Sequence, residues 1–292
     1  MPGEVTEDLV TRGPAALPRP WRLNVAFPQR ADFTAALGVR SGTWRIAPAE
    51  QHAWAPGGGA AGDAGFSETR ARYRAARQGG LVMQLTVLGA TGPIGRQVLR
   101  QALAAGHRVT ALVRDPARLP ERDDARVTVV IGDAASAADV EEAARGSQAL
   151  ICALGPGKDY KSALATRTAG PVLEAMAAAG VTRLVWLSAL GSGDTVRRQS
   201  LFQAGASRLV MGTLMADKGI ADETIAGSDR DWTIALPVMF ADGPATGAYE
   251  TIPLDGTRGR VGGRISRADV ADFLLTSATG GLWVRRRVVL TR

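Results

Sequence analysis

The chain has 292 residues, a net charge of +7, 46% hydrophobic residues, one cysteine and two histidines. The lone Cys152 excludes an internal disulfide and suits a reducing cytoplasm, and His52 and His107 are too far apart in sequence to suggest a metal site. Basic residues are dispersed with no nucleic-acid reading motif, and no apolar run is long enough to cross a membrane, so neither nucleic acid nor membrane is expected as a partner.

Residues 1–82 show no sustained helical or alternating period and are broken by Pro14, Pro18, Pro20, Pro28, Pro48, Pro56 and the run Gly57 to Gly59. They are expected to form a poorly ordered extension. The mixed charges make neither a basic arm nor an acidic tail, and Glu4, Glu7 and Asp8 argue against an organelle transit peptide. Met83 stands directly before the first predicted strand, so the expectation is one domain over residues 83–292, with 1–82 either a nonessential tail or the product of a misassigned start. The arginine excess over Lys158, Lys161 and Lys218 fits a GC-rich coding sequence, in which spurious upstream reading frames are common.

The first strand is read over Thr86 to Leu88, an apolar run that stops at Gly89. Gly89, Gly92 and Gly95 follow at three-residue intervals, where absent side chains permit a tight turn and let backbone approach a pyrophosphate. Pro93 suits the first turn of a helix whose apolar face is Ile94, Val98, Leu99, Ala102 and Leu103. The spacing is G-x-x-G-x-x-G rather than G-x-G-x-x-G, so alone it reads either as a dinucleotide turn or as an ordinary strand–turn–helix.

The second strand, Val109 to Val113, ends at Arg114, with Arg118 four residues on, where many NAD enzymes place an acid for the ribose hydroxyl. Asp115 comes one position late. Arginines there match a 2′-phosphate, which predicts NADPH over NADH; the plain alternative is two solvated arginines. Next come a strand over Val127 to Ile131, a helix over Ala137 to Arg145, a strand over Ala149 to Leu154, a helix over Thr168 to Ala179 and a strand over Leu184 to Leu187. A later helix is read over Gly212 to Ala226, and Arg285 to Arg287 as the exposed part of the last strand. This alternation predicts an α/β fold, a doubly wound parallel sheet of Rossmann type, with the ligand crevice at the carboxyl ends of the strands. Asp133, Leu154, Gly155 and Ser188 stand at such ends, as adenine, ribose and nicotinamide contacts or as ordinary strand-end turn residues. Cys152 is read as a buried packing residue.

GATGPIG, VTALVRDPARLP, VVIGDAASAADV, ALICALGPGKD, DWTIALPVMFADGPATGAYETIPLDG and RISRADVADFLL follow one another in a way that resembles the NADPH-dependent flavin reductases, or biliverdin-IXβ reductases. These are atypical short-chain dehydrogenases of the NAD(P)-binding, NmrA-like group. The likeness covers nearly all of residues 83–292 and none of the preceding segment. It implies that Thr91, Gly92, Pro93 and Ile94 hold the pyrophosphate, Arg114 and Arg118 the 2′-phosphate, Asp133 and Leu154 the adenosine end, and Ser188 and Pro237 the nicotinamide neighbourhood.

Three departures stand out. Carbonyl-reducing short-chain dehydrogenases have a tyrosine four residues before a lysine, to protonate the alkoxide formed by hydride transfer. Here Leu214 precedes Lys218, which is left either as a ribose contact or as a surface lysine. Met239 stands where flavin reductases of this type often carry a histidine, and Gly193 lies where an aromatic is found. Hydride transfer to a flavin-like or quinone-like small-molecule acceptor needs no strong protein acid, because the charge spreads over the ring. Met239, Phe240 and Tyr249 are the candidate shelf for it, or core residues. The expected activity is therefore an NADPH-dependent oxidoreductase. The alternatives are a non-catalytic NADP(H) sensor of NmrA-like type that binds a regulatory protein partner, and more remotely a relative of NDP-sugar epimerases.

Overall fold

A computed structural model of the protein describes residues 81–292 except 158, 160, 161, 199, 200, 257 and 258, with no side-chain surroundings for 201–210 or 256. The expected extension over 1–82 therefore lies, but for Leu81 and Val82, outside the described residues. The strands are β1 (Gln84–Leu88), β2 (Arg108–Val113), β3 (Val127–Ile131), β4 (Ala149–Cys152), β5 (Arg183–Leu187), β6 (Asp231–Pro237), β7 (Met239–Ala241), β8 (Glu250–Pro253), β9 (Arg264–Ser266) and β10 (Arg286–Thr291). The helices are α1 (Pro93–Ala104), α2 (Ala137–Ala144), α3 (Leu164–Ala178), α4 (Leu201–Ala226) and α5 (Arg267–Gly280).

One sheet runs β3-β2-β1-β4-β5-β6-β10-β8, and a separate pair joins β7 to β9. The large sheet is parallel from β3 to β10, but β8 runs antiparallel to β10, so the expected all-parallel sheet has one reversed edge. β4 and β5 are buried at every position, as strands covered on both faces require. α1 packs on α5, and α2, α3 and α4 pack in sequence. Strand order reverses at β1, between β2 and β4, which opens a crevice at their carboxyl ends. No described helix is long and apolar enough to cross a membrane.

Two helices begin earlier than their sequence patterns. α3 starts at Leu164 rather than Thr168, because Asp217 of α4 caps it: its carboxylate accepts from Ala165 N at 3.0 Å and Thr166 N at 2.8 Å. α4 starts at Leu201 rather than Gly212 and breaks from helical geometry at Met211 (φ −130°, ψ 16°).

The entry to α5 is held by a buried carboxylate. Asp269 accepts from Thr246 N (2.6 Å), Gly247 N (2.9 Å), the Thr246 hydroxyl (3.0 Å) and the Ser266 hydroxyl (2.8 Å), tying the loop after β7 to the helix. Burial raises its pKa, but the donors at Gly247, Ser266 and Thr246 outweigh burial and hold the carboxyl below its ordinary value. A depressed native pKa gives stability that is complete above about pH 4 and is lost as pH falls through the native value. Asp269→Asn should therefore cost about 2–4 kcal/mol at neutral pH, from weakened charge-assisted bonds. In urea melts across pH, the gap from wild type should narrow toward acid; a gap independent of pH would contradict this.

Candidate active site

β1 delivers the chain into a turn that only glycine can fill. Gly89 has φ +84°, and a Cβ there would lie 2.8 Å from the Ala153 carbonyl. Gly92 N donates to Gly89 O at 2.9 Å, closing the turn. A Cβ on Gly95 would fall 2.1 Å from Gly89 O, so helix and turn touch backbone to backbone. α1 then starts with Gly92 as N-cap, Pro93 in its first turn, no side-chain cap and no acidic residue. Its leading N–H groups and positive dipole end are left for an anion, and the glycines let the turn and helix close tightly enough to present them. The residues fit a dinucleotide. Gly95→Ala should cost about 1–3 kcal/mol by overpacking and weaken NADPH binding in fluorescence titrations. Parental affinity in a folded variant would remove the turn from the site.

At the end of β2, Arg114 and Arg118 are both exposed. Asp115 is spent inside its own loop, where its carboxylate accepts from Ala117 N at 3.0 Å and caps a short 3₁₀ turn. The loop is fastened to α1: Arg96 Nη2 donates to Arg118 O at 3.0 Å, and Arg100 Nε to Glu121 at 2.6 Å. After β3, half-buried Asp133 accepts from Ala135 N at 2.9 Å, while its own N–H donates to Asp139 at 2.8 Å.

A narrow cleft opens at the ends of β4 and β5, lined by Cys152, Leu154, Gly155, Trp186, Leu214 and Lys218 among others. It brings Leu154, Gly155 and Lys218 together. Lys218 is 8% exposed, which corrects the surface-lysine reading, and its Nζ donates to Leu187 O at 3.2 Å. Burial pulls its pKa down, with Asp222 the main opposing charge. Burial pushes the Cys152 thiol up to about 12, so it stays protonated and serves packing. Leu214, in the tyrosine's place one turn before Lys218, is buried in the cleft wall.

Ser188, just beyond β5, is buried, and its hydroxyl donates to Asp222 Oδ2 at 2.6 Å; the Ser192 hydroxyl reaches the same oxygen at 2.6 Å. Sequence reasoning overlooked Asp222, although Leu214, Lys218 and Asp222 recur every four residues and so share one helical face. Pro237, at the end of β6, is buried and accepts from Leu190 N at 3.0 Å, holding the Ser188 segment beside it.

The expected shelf is divided. Met239 and Phe240 are successive residues of β7 and point to opposite faces: Met239 is 47% exposed, and Phe240 packs on the core with the Arg267 guanidinium 5.5 Å from its ring centre. The Tyr249 hydroxyl donates to Asp272 at 2.8 Å. A larger cavity of about 470 Å³ lies among Asp194, Trp232 and Arg285 to Arg287, away from the glycine turn. It shares no residue with the predicted cofactor site.

Residues 89–280 match the model of the NAD(P)H-binding family. A chloroplastic protein of Arabidopsis thaliana is 31% identical over 177 residues, which cover 58% of this chain and 63% of that protein, so the chain spans less than two thirds of that relative. Among solved structures, ChuY, an anaerobilin reductase from Escherichia coli O157:H7, is 25% identical with a TM-score of 0.62, covering 71% of this chain and 96% of its own. A short-chain dehydrogenase/reductase from Veillonella parvula, solved with NADP, shares the fold at 18% identity and a TM-score of 0.62, over 73% and 95% of the two chains. With the family matched over well more than half of its length, the chain belongs to the NAD(P)H-binding family.

Proposed function

We propose that the protein is an NADPH-dependent reductase of a flat, conjugated acceptor of flavin-like or quinone-like class. The observation that carries this reading is Leu214, an apolar residue in the cleft wall where a carbonyl reductase needs its acid, one turn before buried Lys218. A saturated alkoxide would have no tyrosine to protonate it there, whereas a conjugated ring spreads the arriving charge.

Bound NADPH would supply the hydride. The chain's part is placement. The backbone of Thr91, Gly92, Pro93 and Ile94 takes the pyrophosphate against the start of α1, and Arg114 with Arg118 takes the 2′-phosphate. Asp133, Leu154 and Gly155 border the adenosine end; Pro237 and Ser188 border the nicotinamide. Lys218, dry and held on Leu187 O, has ammonium protons left for a ribose hydroxyl. Relation to an anaerobilin reductase supports reductase chemistry.

The test is stopped-flow oxidation of NADPH with FMN, riboflavin and quinones in turn. Turnover with at least one is expected. No turnover above the blank with any planar acceptor overturns the reading, and a clear preference between NADP and NADPH without turnover would point to a sensor.

A further inference from the structure

Asp222 is 4% exposed, and only one of its two oxygens is satisfied. Oδ2 takes both serine hydroxyls, from Ser188 and Ser192, at 2.6 Å each. Oδ1 is buried with no hydrogen-bond partner among the described residues. An ionised carboxylate with a bare, buried oxygen is costly; a neutral carboxylic acid there is far less so. The acid also occupies a telling place on α4, since Leu214, Lys218 and Asp222 are spaced four apart: the face that lost an acid one turn before the lysine carries one a turn after it.

We propose that Asp222, working through Ser188, delivers the proton taken up by the reduced conjugated acceptor, whose ring already spreads the arriving charge, and is no substitute for the tyrosine a saturated alkoxide would need. The inference rests on the reductase reading above. Ser188 is the group that touches the acceptor, and Asp222 is a positioning residue behind it. The 2.6 Å contact allows the hydrogen bond to run either way, because a hydroxyl proton rotates to suit. When Asp222 is neutral it donates to Ser188 Oγ, which turns the serine's own proton toward the acceptor. As the acceptor gains hydride and becomes anionic, the Ser188 O–H bond breaks and a new bond to hydrogen forms on the acceptor. Ser188 takes the Asp222 proton in the same movement. The carboxylate left behind regains a proton from water after the product departs, so the relay returns to its start and no other reductant is needed.

The surroundings favour the neutral acid. Burial pushes the Asp222 carboxyl up from its ordinary range, against the two serine hydrogen bonds and the charges of Lys218 on α4 and Arg287 on β10. Arg287 has acidic partners of its own, while Lys218 donates to a neutral carbonyl. Lys218 Nζ lies on Leu187 O at 3.2 Å, and Arg287 pairs with Glu223 at 2.7 Å and Asp194 at 3.5 Å.

The first measurement uses cofactor-free protein. Infrared difference spectra of wild type against Asp222→Asn at neutral pH should contain a carboxylic-acid C=O stretch that the variant lacks; no such band overturns the proposal. The second uses an acceptor that the wild type turns over. Wild-type kcat should fall as pH rises through the Asp222 titration, whereas Asp222→Asn should be about 100-fold slower and flat with pH, with an unchanged Kd for NADPH. Ser188→Ala should lose as much, and the double variant no more than either alone; additive losses, or an Asp222→Asn profile like the parent's, overturn the relay. If Asp222→Asn does not fold, Ser188→Ala decides alone, by whether it loses the pH-dependent limb. A band without turnover on any acceptor overturns the reductase reading and the relay with it, while leaving the charge state of Asp222 established.

Discussion

Arg114→Ala is expected to raise the Kd for NADPH about 10- to 100-fold while leaving that for NADH where it was. The two cofactors differ only by the 2′-phosphate, and folds of this type place the adenine ribose by the end of β2, so a residue there is well placed to separate them. Arg114 is the first residue past that strand. A charge-assisted hydrogen bond from arginine to phosphate contributes about 1.5–3 kcal/mol, which converts to the stated range. Two local features sharpen the expectation. Asp115, the carboxylate next to Arg114 in sequence, is drawn into its own turn by Ala117 N. The backbone carrying Arg118 is fixed to α1 by Arg96, so the arginines are presented on a fastened loop. Arg118→Ala should give a smaller loss of the same kind, and the double variant should bind both cofactors alike. Equal affinity of the parent for NADH and NADPH in fluorescence titrations would remove the role given to Arg114.

What could be read from the sequence follows the range of the forces involved. The glycine turn and α1 are local: Gly89 must reach φ +84°, and Ile94, Val98, Leu99, Ala102 and Leu103 all turn out buried along one face. β2, β3 and β5 were legible for the same reason, as short apolar runs between turns. The first turn of α3 was not, because its cap comes from Asp217, 52 positions away. The antiparallel edge at β8 is set by pairing with β10, a contact that no local pattern in Glu250–Pro253 announces. The site divides in the same way. Glycines and arginines that meet the cofactor act through backbone and position, and they carry a spacing. Burial of Lys218 and Asp222 depends on Leu187, Ser188 and Ser192 arriving from another element. The apolar shelf is divided for a simpler reason: adjacent residues of a strand point to opposite faces, so Met239 and Phe240 part once β7 forms.

Arg183→Ala should destabilise the fold strongly, by about 3–5 kcal/mol. It opens a run, RLVWL, in which an arginine looks like the solvated start of a strand. In the folded chain it is 7% exposed, and its guanidinium is spent on backbone: Nη2 donates to Ser277 O and Leu282 O at 2.8 Å and to the Thr233 hydroxyl at 2.7 Å, and Nη1 to Asp231 O at 2.6 Å. One side chain therefore links β5, β6 and the C-terminal end of α5, adding a charged donor to the Ser277 carbonyl already met by Gly281 N and Leu282 N. Burial lowers its pKa to about 10, with Asp231 opposing, so it is charged at neutral pH and its hydrogen bonds carry that charge into the interior. Removing it takes away this set of charge-assisted bonds at once and leaves a cavity, although Ser277 O keeps Leu282 N and Leu282 O keeps the Thr233 hydroxyl. For a fold of this size the loss corresponds to a melting temperature lower by roughly 6–20 °C. Arg183→Met, which restores volume without donors, should recover only the cavity part. Because Arg183 begins β5 while the cofactor crevice lies at the strand's other end, NADPH affinity below the melting transition should match the parent. An unchanged melting temperature would show that water, not Arg183, satisfies those carbonyls.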